Sequence, residues 1–155
     1  MLKAEQIIPD SEAGPSARVD DTLTLPFELR QKSRLLATLG SGRQITLQLP
    51  RGHVLRHGAL LVTTEGMVVQ IRSADETLSV VSSADPGELL RAAYHLGNRH
   101  VALQIGENSL SYLHDHVLDL MLRGLGLRPC VVEGPFEPEP GAYGRAALTP
   151  HSHAH

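Results

Sequence analysis

The stretch TLSVVSSADPGELLRAAYHLGN, residues 77–98, decides the fold of the second half of the chain. Four of its first six residues are apolar or β-branched, which is typical of a strand. Asp85 followed by Pro86 then predicts a helix N-cap with proline at the first helical position. Leu and Ala follow at helical spacing, and we expect Gly97-Asn98 to end the helix as a C-cap. The stretch therefore predicts a strand followed by a helix.

The residues after this stretch continue the alternation. Residues 101–105 and 110–113 have the pattern of two short strands on either side of a turn-forming group. Asp115 can cap a second helix that Gly124 and Gly126 close, and residues 129–132 form a last strand. The resulting order is β-α-β-β-α-β, which over about sixty residues predicts an α+β, ferredoxin-like domain.

The first half of the chain has β patterns between residues 20 and 72. Short alternating or β-branched segments are separated by Gly and Pro clusters, and Glu65-Gly66 predicts a hairpin return. We therefore expect a mainly β N-terminal domain over residues 1–74 and the ferredoxin-like domain over 75–139. Residues 140–155, which contain few bulky apolar side chains, are expected to form a flexible tail.

The composition excludes several classes of protein. With 14 basic and 17 acidic residues and a net charge of −3, the chain has no overall positive charge for nucleic-acid binding. Its one cysteine, Cys130, excludes an intrachain disulfide and an all-cysteine zinc site, and we expect it to be a small buried hydrophobe. There is no apolar run long enough for a signal peptide or a membrane span, so we expect a cytoplasmic protein without a membrane partner.

Nine histidines stand out in a chain with only two Phe and three Tyr. Three of them alternate at the C-terminus, where side chains two residues apart in an extended chain point the same way. Neutral imidazole suits nickel, copper and zinc, so these residues predict metal contact, with a solvated polar terminus as the alternative. The three residues are His151, His153 and His155.

The internal histidines give weaker patterns. His114-Asp115-His116 could bind metal at an auxiliary site, but it lies at a predicted helix start, where the helix dipole disfavours a cation. A polar helix entry capped by Asp115 has equal weight. His100 resembles an ordinary turn histidine, since nothing in its spacing singles it out. The others are expected to be structural, incidental or on a helix surface: His53, His57 and His95.

Three motifs stand out along the second half: Leu96-Gly97-Asn98-Arg99-His100, His114-Asp115-His116-Val117-Leu118-Asp119 with residues 121–126, and Pro135-Phe136-Glu137-Pro138-Glu139. Together they resemble motifs of the UreE family, the urease accessory nickel metallochaperones. Residues 49–52 extend the resemblance into the first half, so that it covers essentially the whole chain.

The resemblance implies a homodimer whose N-terminal domain binds a peptide or partner. It implies that His100 meets its two-fold mate across the interface and that Ni(II) bridges the pair. The tail histidines would complete this coordination or take up further metal, and His114 and His116 would be auxiliary ligands. The ion would pass to the urease GTPase accessory protein and then to apo-urease, and the protein itself would not be an enzyme.

Other functions compete with this one. A passive nickel, zinc or copper buffer would use the same ligands without a recipient, and Zn(II) and Cu(II) compete because imidazole affinity does not favour nickel. A metallohydrolase would need further ligands and an open metal position. A metal sensor would need a basic DNA-reading helix, and the sequence does not predict one.

Overall fold

The computed structural model describes residues 1–9 and 18–141. The chain divides into two compact units, of which the first is Met1–Asp75 and the second begins at Glu76. Each unit has its own buried apolar cluster. The three tail histidines lie outside the described residues, as does all of the expected tail after residue 141.

The first unit is a six-stranded sheet with one helical turn. Its elements are β1 (Leu2–Ile8), β2 (Asp21–Leu25), α1 (Phe27–Arg30), β3 (Arg34–Thr38), β4 (Gln44–Gln48), β5 (Leu60–Thr63) and β6 (Val68–Ser73). The strands lie in the order β2-β6-β5-β1-β4-β3. The prediction of a strand-rich N-terminal half is confirmed.

The alternating pattern explains the position of β4 inside this sheet. Ile45 and Leu47 are fully buried while the glutamines at both ends of the strand are exposed, as a period of two requires. Ile45 lies opposite Leu2 of parallel β1 and opposite Ala37 of antiparallel β3. The predicted hairpin also forms, because Gly66 turns between antiparallel β5 and β6 with a positive φ of 85°.

The second unit contains six elements in the predicted order along the chain. They are β7 (Asp75–Ser82), α2 (Pro86–Asn98), β8 (Gln104–Ile105), β9 (Ser109–Leu113), α3 (His116–Gly124) and β10 (Cys130–Pro135). The four strands form a sheet in the order β10-β7-β9-β8. The prediction of an α+β C-terminal half is confirmed.

Two predictions about the strands of the second unit are wrong. The second strand, predicted over residues 101–105, is only two residues long, because the backbone N–H of Val101 bonds back to Leu96 and the Val101 side chain packs on the core as part of the helix ending. Cys130 is exposed and not buried. It begins β10, an edge strand in which no residue is buried, so the apolar sequence there does not mark a core position.

Both helices of this unit begin at the predicted aspartates. The Asp85 carboxylate accepts a hydrogen bond from the backbone N–H of Gly87 at 2.9 Å. Asp115 accepts from Val117 at 2.9 Å and from Leu118 at 3.3 Å. These carboxylates occupy the positive ends of the helix dipoles, which stabilises both helix starts. None of the helices in the described ranges has the length and apolar character needed to cross a membrane.

Candidate metal-binding site

His100 has an unusual backbone conformation. Its φ is 58°, and no other non-glycine residue within 1–9 and 18–141 has a positive φ. The left-handed region brings Cβ close to the following carbonyl, which costs a residue with a side chain roughly 1–2 kcal/mol. Sequence reasoning without the family resemblance treated this residue as an ordinary turn histidine and missed the conformation.

The conformation follows from the way α2 ends. The backbone N–H of His100 donates to the Gly97 carbonyl at 2.9 Å, and that of Val101 donates to the Leu96 carbonyl at 3.2 Å. This pair of hydrogen bonds is a Schellman motif, in which the residue after the C-cap must be left-handed. The expected C-cap at Gly97-Asn98 is therefore wrong: both residues lie within the helix, and Arg99 is the C-cap.

The other helix of the unit ends in the same way, but with glycine. Gly126 has a φ of 90°, its N–H donates to Arg123 at 3.0 Å, and the N–H of Leu127 donates to Leu122 at 3.0 Å. Glycine adopts this conformation without steric cost. The fold therefore accepts glycine at this position of a helix ending. A histidine at the equivalent position of α2 has a steric cost that glycine avoids.

The His100 side chain is exposed at the end of an exposed apolar stripe on α2. Within the described residues its ring makes no hydrogen bond. Leu90 and Tyr94 are 71% and 69% exposed, and with Gly97 they share one helix face because they follow one another at four- and three-residue spacing. A Cβ built on Gly97 would meet no atom within 4 Å, so nothing inside this chain requires glycine there. We call Leu90, Tyr94 and Gly97 the α2 stripe.

His114 and His116 have different environments. The Nδ1 atom of His114 lies 3.0 Å from the Ser79 hydroxyl and 3.3 Å from an oxygen of Asp119. His116 is the first residue of α3 and is exposed, and within the described ranges its ring has no hydrogen-bond partner. Asp115 between them caps the helix, as the polar-entry alternative predicted. The His114 ring thus has polar partners within the chain, whereas the His116 ring has none among the described residues.

A buried tyrosine completes the surroundings of His114. The Tyr112 hydroxyl donates to the other oxygen of Asp119 at 2.6 Å. Burial is the main cause that raises the pKa of Tyr112 far above its ordinary value, and the hydrogen bond with Asp119 adds to the shift. This hydroxyl therefore stays protonated and remains a donor. Sequence reasoning did not identify Ser79, Tyr112 or Asp119, since their residue types and spacing give no pattern.

The remaining internal histidines lie elsewhere. His57 accepts a hydrogen bond from the backbone N–H of Ser73 at 3.1 Å through Nδ1, which is a structural role in the first unit. His53 is exposed in that unit. His95 lies on α2 with its ring edge-on to Tyr94 at 5.2 Å. Nowhere in the described ranges do three or more His, Cys, Asp or Glu side chains gather closely enough to hold one metal ion.

Residues 136–139, just before the tail, are held against residues that follow His100 in the sequence. Phe136 is fully buried, the Glu137 N–H donates to the Gln104 side chain at 2.9 Å, and the Glu139 N–H donates to the Leu103 carbonyl at 2.7 Å. Leu103 is three residues from His100, a span of at most about 10 Å. The twelve residues from Glu139 to His151 can reach about 40 Å when extended. The tail histidines can therefore reach His100.

Comparisons with known proteins match both units. Residues 4–74 match the sequence model of the N-terminal domain of the UreE urease accessory protein, and residues 76–155 match that of its C-terminal domain. The chain is 57% identical to the urease accessory protein UreE of Alkalilimnicola ehrlichii, over 83% of this chain and 79% of the relative. It is 54% identical to that of Pseudomonas putida strain W619, over 88% and 84%, and 53% identical to that of Citrobacter koseri, over 90% of each.

Proposed function

The chain belongs to the UreE family of urease accessory proteins, and we propose that it carries Ni(II) for urease maturation. In this proposal it binds the ion at a homodimer interface centred on His100. It then delivers the ion to the urease GTPase accessory protein and apo-urease in the cytoplasm. The observation that carries the proposal is the exposed histidine in a left-handed position where the other helix of the unit has glycine.

The α2 stripe supports a homodimer. Leu90 and Tyr94 leave apolar surface in water that a second copy would cover, and Gly97 would let a second backbone approach closely. An interface of this kind is two-fold symmetric, so a residue near the axis meets its own mate. One histidine per chain then supplies two ligands.

The strand order β10-β7-β9-β8 with both helices in the crossovers supports the ferredoxin-like assignment of this domain.

The anchored segment before the tail supports a role for His151, His153 and His155 in the same site. Tethering at Glu139 raises the local concentration of the tail imidazoles, which for short flexible linkers reaches the millimolar range. Ligands on a tether can also leave one at a time, and this allows transfer of the ion to a recipient. Because imidazole must be neutral to bind a metal, we expect the affinity to fall as the pH is lowered.

Two further features belong to the proposal. His114 and His116 act as auxiliary ligands, and Zn(II) and Cu(II) compete with nickel, since imidazole alone does not select among these ions. The first unit has the partner-binding role that the resemblance implies.

Isothermal titration of the full-length protein with Ni(II) tests the metal site. We expect His100→Ala to remove the tightest binding event and to leave the fold intact, with a stoichiometry of one such ion per two chains in the wild type. His53→Ala is the matched control, since it removes an exposed histidine from the other unit. Deletion of residues after Pro150 should weaken the tight event without abolishing it. Unchanged tight binding in His100→Ala would refute the assignment.

A passive metal buffer is the alternative that binding data cannot separate from a carrier. The two differ in whether a recipient exists, so the test is co-purification with the urease GTPase accessory protein in the presence and absence of Ni(II). A nickel-dependent complex that His100→Ala disrupts supports delivery. A protein that binds nickel tightly but neither forms this complex nor restores activity to apo-urease is a buffer.

A further inference from the structure

A buried polar cluster lies behind His114 in the second unit. Ser79 of β7, Tyr112 of β9 and Asp119 of α3 are all buried, whereas the His114 side chain lies at the surface with 36% of its area exposed. The cluster is fully hydrogen-bonded: no buried side-chain polar atom in the described residues lacks a partner. Ser79 and Asp119 therefore both lie next to Nδ1 of the His114 ring, and Tyr112 holds Asp119 from behind.

The donors and acceptors of this cluster fix the proton of His114. The Tyr112 hydroxyl donates to Asp119 Oδ1, which leaves Oδ2 as an acceptor 3.3 Å from His114 Nδ1. A carboxylate oxygen can only accept, so a bare Nδ1 would face this acceptor at 3.3 Å and would have only the Ser79 hydroxyl as a donor. A proton on Nδ1 removes this conflict, and the Ser79 hydroxyl at 3.0 Å can share it.

The consequence lies on the opposite side of the ring. In a neutral imidazole only one nitrogen carries the proton, so a proton on Nδ1 leaves the lone pair on Nε2. We propose that Asp119 is a positioning residue that holds the His114 proton on Nδ1 and thereby presents Nε2 as a ligand for a divalent cation at the surface. This proposal rests on the auxiliary role given to His114 above, and it adds the residue that makes His114 a better ligand than His116.

The arrangement is a known way of tuning metal ligands. Histidines that bind metals donate their second ring N–H to a carboxylate, a carbonyl or a water, and loss of that partner weakens metal binding by about 10–100-fold. The backbone also holds the ring in place, because the His114 N–H donates to the Thr77 carbonyl at 3.0 Å. His116 has no such partner within the described residues, so its ring must be ordered by the metal itself. We therefore expect the two histidines to contribute unequally.

Nuclear magnetic resonance of the metal-free full-length protein tests the proton position directly. A long-range ¹H–¹⁵N correlation spectrum reports which ring nitrogen of each neutral histidine carries the proton. We expect His114 to be protonated on Nδ1, and we expect His116 to show the mixture of tautomers of a free imidazole. His114 protonated on Nε2 in the wild type would overturn the proposal, and this measurement needs no variant.

Asp119→Asn provides the second measurement. An amide that still accepts from Tyr112 would turn its NH₂ group toward Nδ1, so we expect the His114 proton to move to Nε2. Ni(II) titration followed by loss of the His114 ring signals should then need about 10–100-fold more metal than in the wild type. The matched control is Asp115→Asn, which removes one negative charge beside His114 but keeps a good N-cap residue. Tyr112→Phe controls for the cluster, because it keeps the carboxylate facing Nδ1.

The outcomes separate this proposal from the proposed function. If Ni(II) removes the His100 signals but never those of His114 at comparable metal concentration, the positioning role is wrong while the carrier function stands. An equal loss of affinity in Asp115→Asn and Asp119→Asn would also overturn it, because charge alone would then explain the effect. If His114 binds Ni(II) and Asp119→Asn weakens it, but His100 binds none, the proposed main site fails and the positioning role stands.

Discussion

Replacement of His100 by glycine should stabilise the metal-free protein and at the same time remove the proposed nickel site. Most substitutions of a functional histidine are expected to be neutral or destabilising. This one differs because the residue has a φ of 58°, in a helix ending where Gly126 occupies the equivalent place of α3. Glycine should therefore relieve the steric cost without disturbing the hydrogen bonds to Gly97 and Leu96, which are made by backbone atoms.

The size of the effect follows from two opposing contributions. A left-handed residue with a side chain costs roughly 1–2 kcal/mol, which glycine removes. Glycine is also more flexible in the unfolded chain, which lowers the free energy of unfolding by roughly 0.5–1 kcal/mol. The net gain is therefore about 0–1.5 kcal/mol, with a central value of about 0.75 kcal/mol. For a unit of about 80 residues this central value raises the unfolding temperature by roughly 3–6 °C, if the second unit unfolds as one cooperative block.

Thermal unfolding followed by circular dichroism in the presence of a chelator measures this gain at fixed protein concentration. His100→Ala is the matched control, because it removes the imidazole but keeps a Cβ, and it should not be stabilised. Gly126→Ala should lose about 1 kcal/mol or more, since it introduces a Cβ at a positive φ. With Ni(II) at a hundred times its dissociation constant, the wild type should gain about 2.7 kcal/mol and become more stable than His100→Gly. A His100→Gly variant no more stable than His100→Ala in chelator would refute the reasoning.

Three other predictions test separate parts of the molecule. Tyr94→Asp should shift the protein from dimer to monomer in sedimentation velocity, because it introduces a charge into the α2 stripe; a variant that remains dimeric would place the interface elsewhere. Asp85→Ala should lower the free energy of unfolding by about 0.5–2 kcal/mol in chemical denaturation through loss of the α2 cap, whereas Asp85→Asn should be nearly neutral. A hydrogen bond from Ser41 holds the pKa of Asp21 below 3.8, so this carboxylate stabilises the fold above its ordinary pKa and loses that effect as the pH falls through the lower value. Acid titration of Asp21→Asn should therefore show a shallower dependence of stability on pH over that range, and an unchanged slope would contradict the role of Asp21.

The order of elements in the second unit could be predicted because each boundary has a local cause. Asp85 and Asp115 cap the helices through their own neighbours, and the apolar spacing of α2 and α3 marks the faces that pack on the sheet. The first unit contains strands that have neither a capping residue nor a regular apolar spacing. In β1 (Leu2–Ile8), Lys3, Glu5 and Gln6 interrupt the apolar residues, and only the pairing with β4 and β5 makes the segment a strand. That pairing is long-range, so the local sequence does not report it.

The site could be predicted only in part. Alternating histidines are visible as a pattern, and so is the pair around Asp115, because both depend on neighbours in sequence. The importance of His100 depends instead on its φ and on the anchoring of Glu139 beside Leu103, which joins residues 36 positions apart. The polar cluster behind His114 could not be predicted from local sequence either, since Ser79 and His114 are 35 positions apart. Residues that only the fold brings together show no regular spacing in the sequence.

The left-handed position of His100 at the end of α2 also suits the proposed carrier function. A histidine held by a Schellman motif projects from a fixed backbone, so little further ordering is needed when the ion binds. The remaining ligands, in contrast, would come from the second copy and from a tail anchored at Glu139, and both can withdraw. The ion would thus meet one rigid ligand per chain and several that leave independently. A site closed by four rigid ligands would retain the metal, whereas the proposed division would allow a recipient to replace the other ligands one at a time. The steric cost of roughly 1–2 kcal/mol falls at the residue that we propose as the fixed ligand.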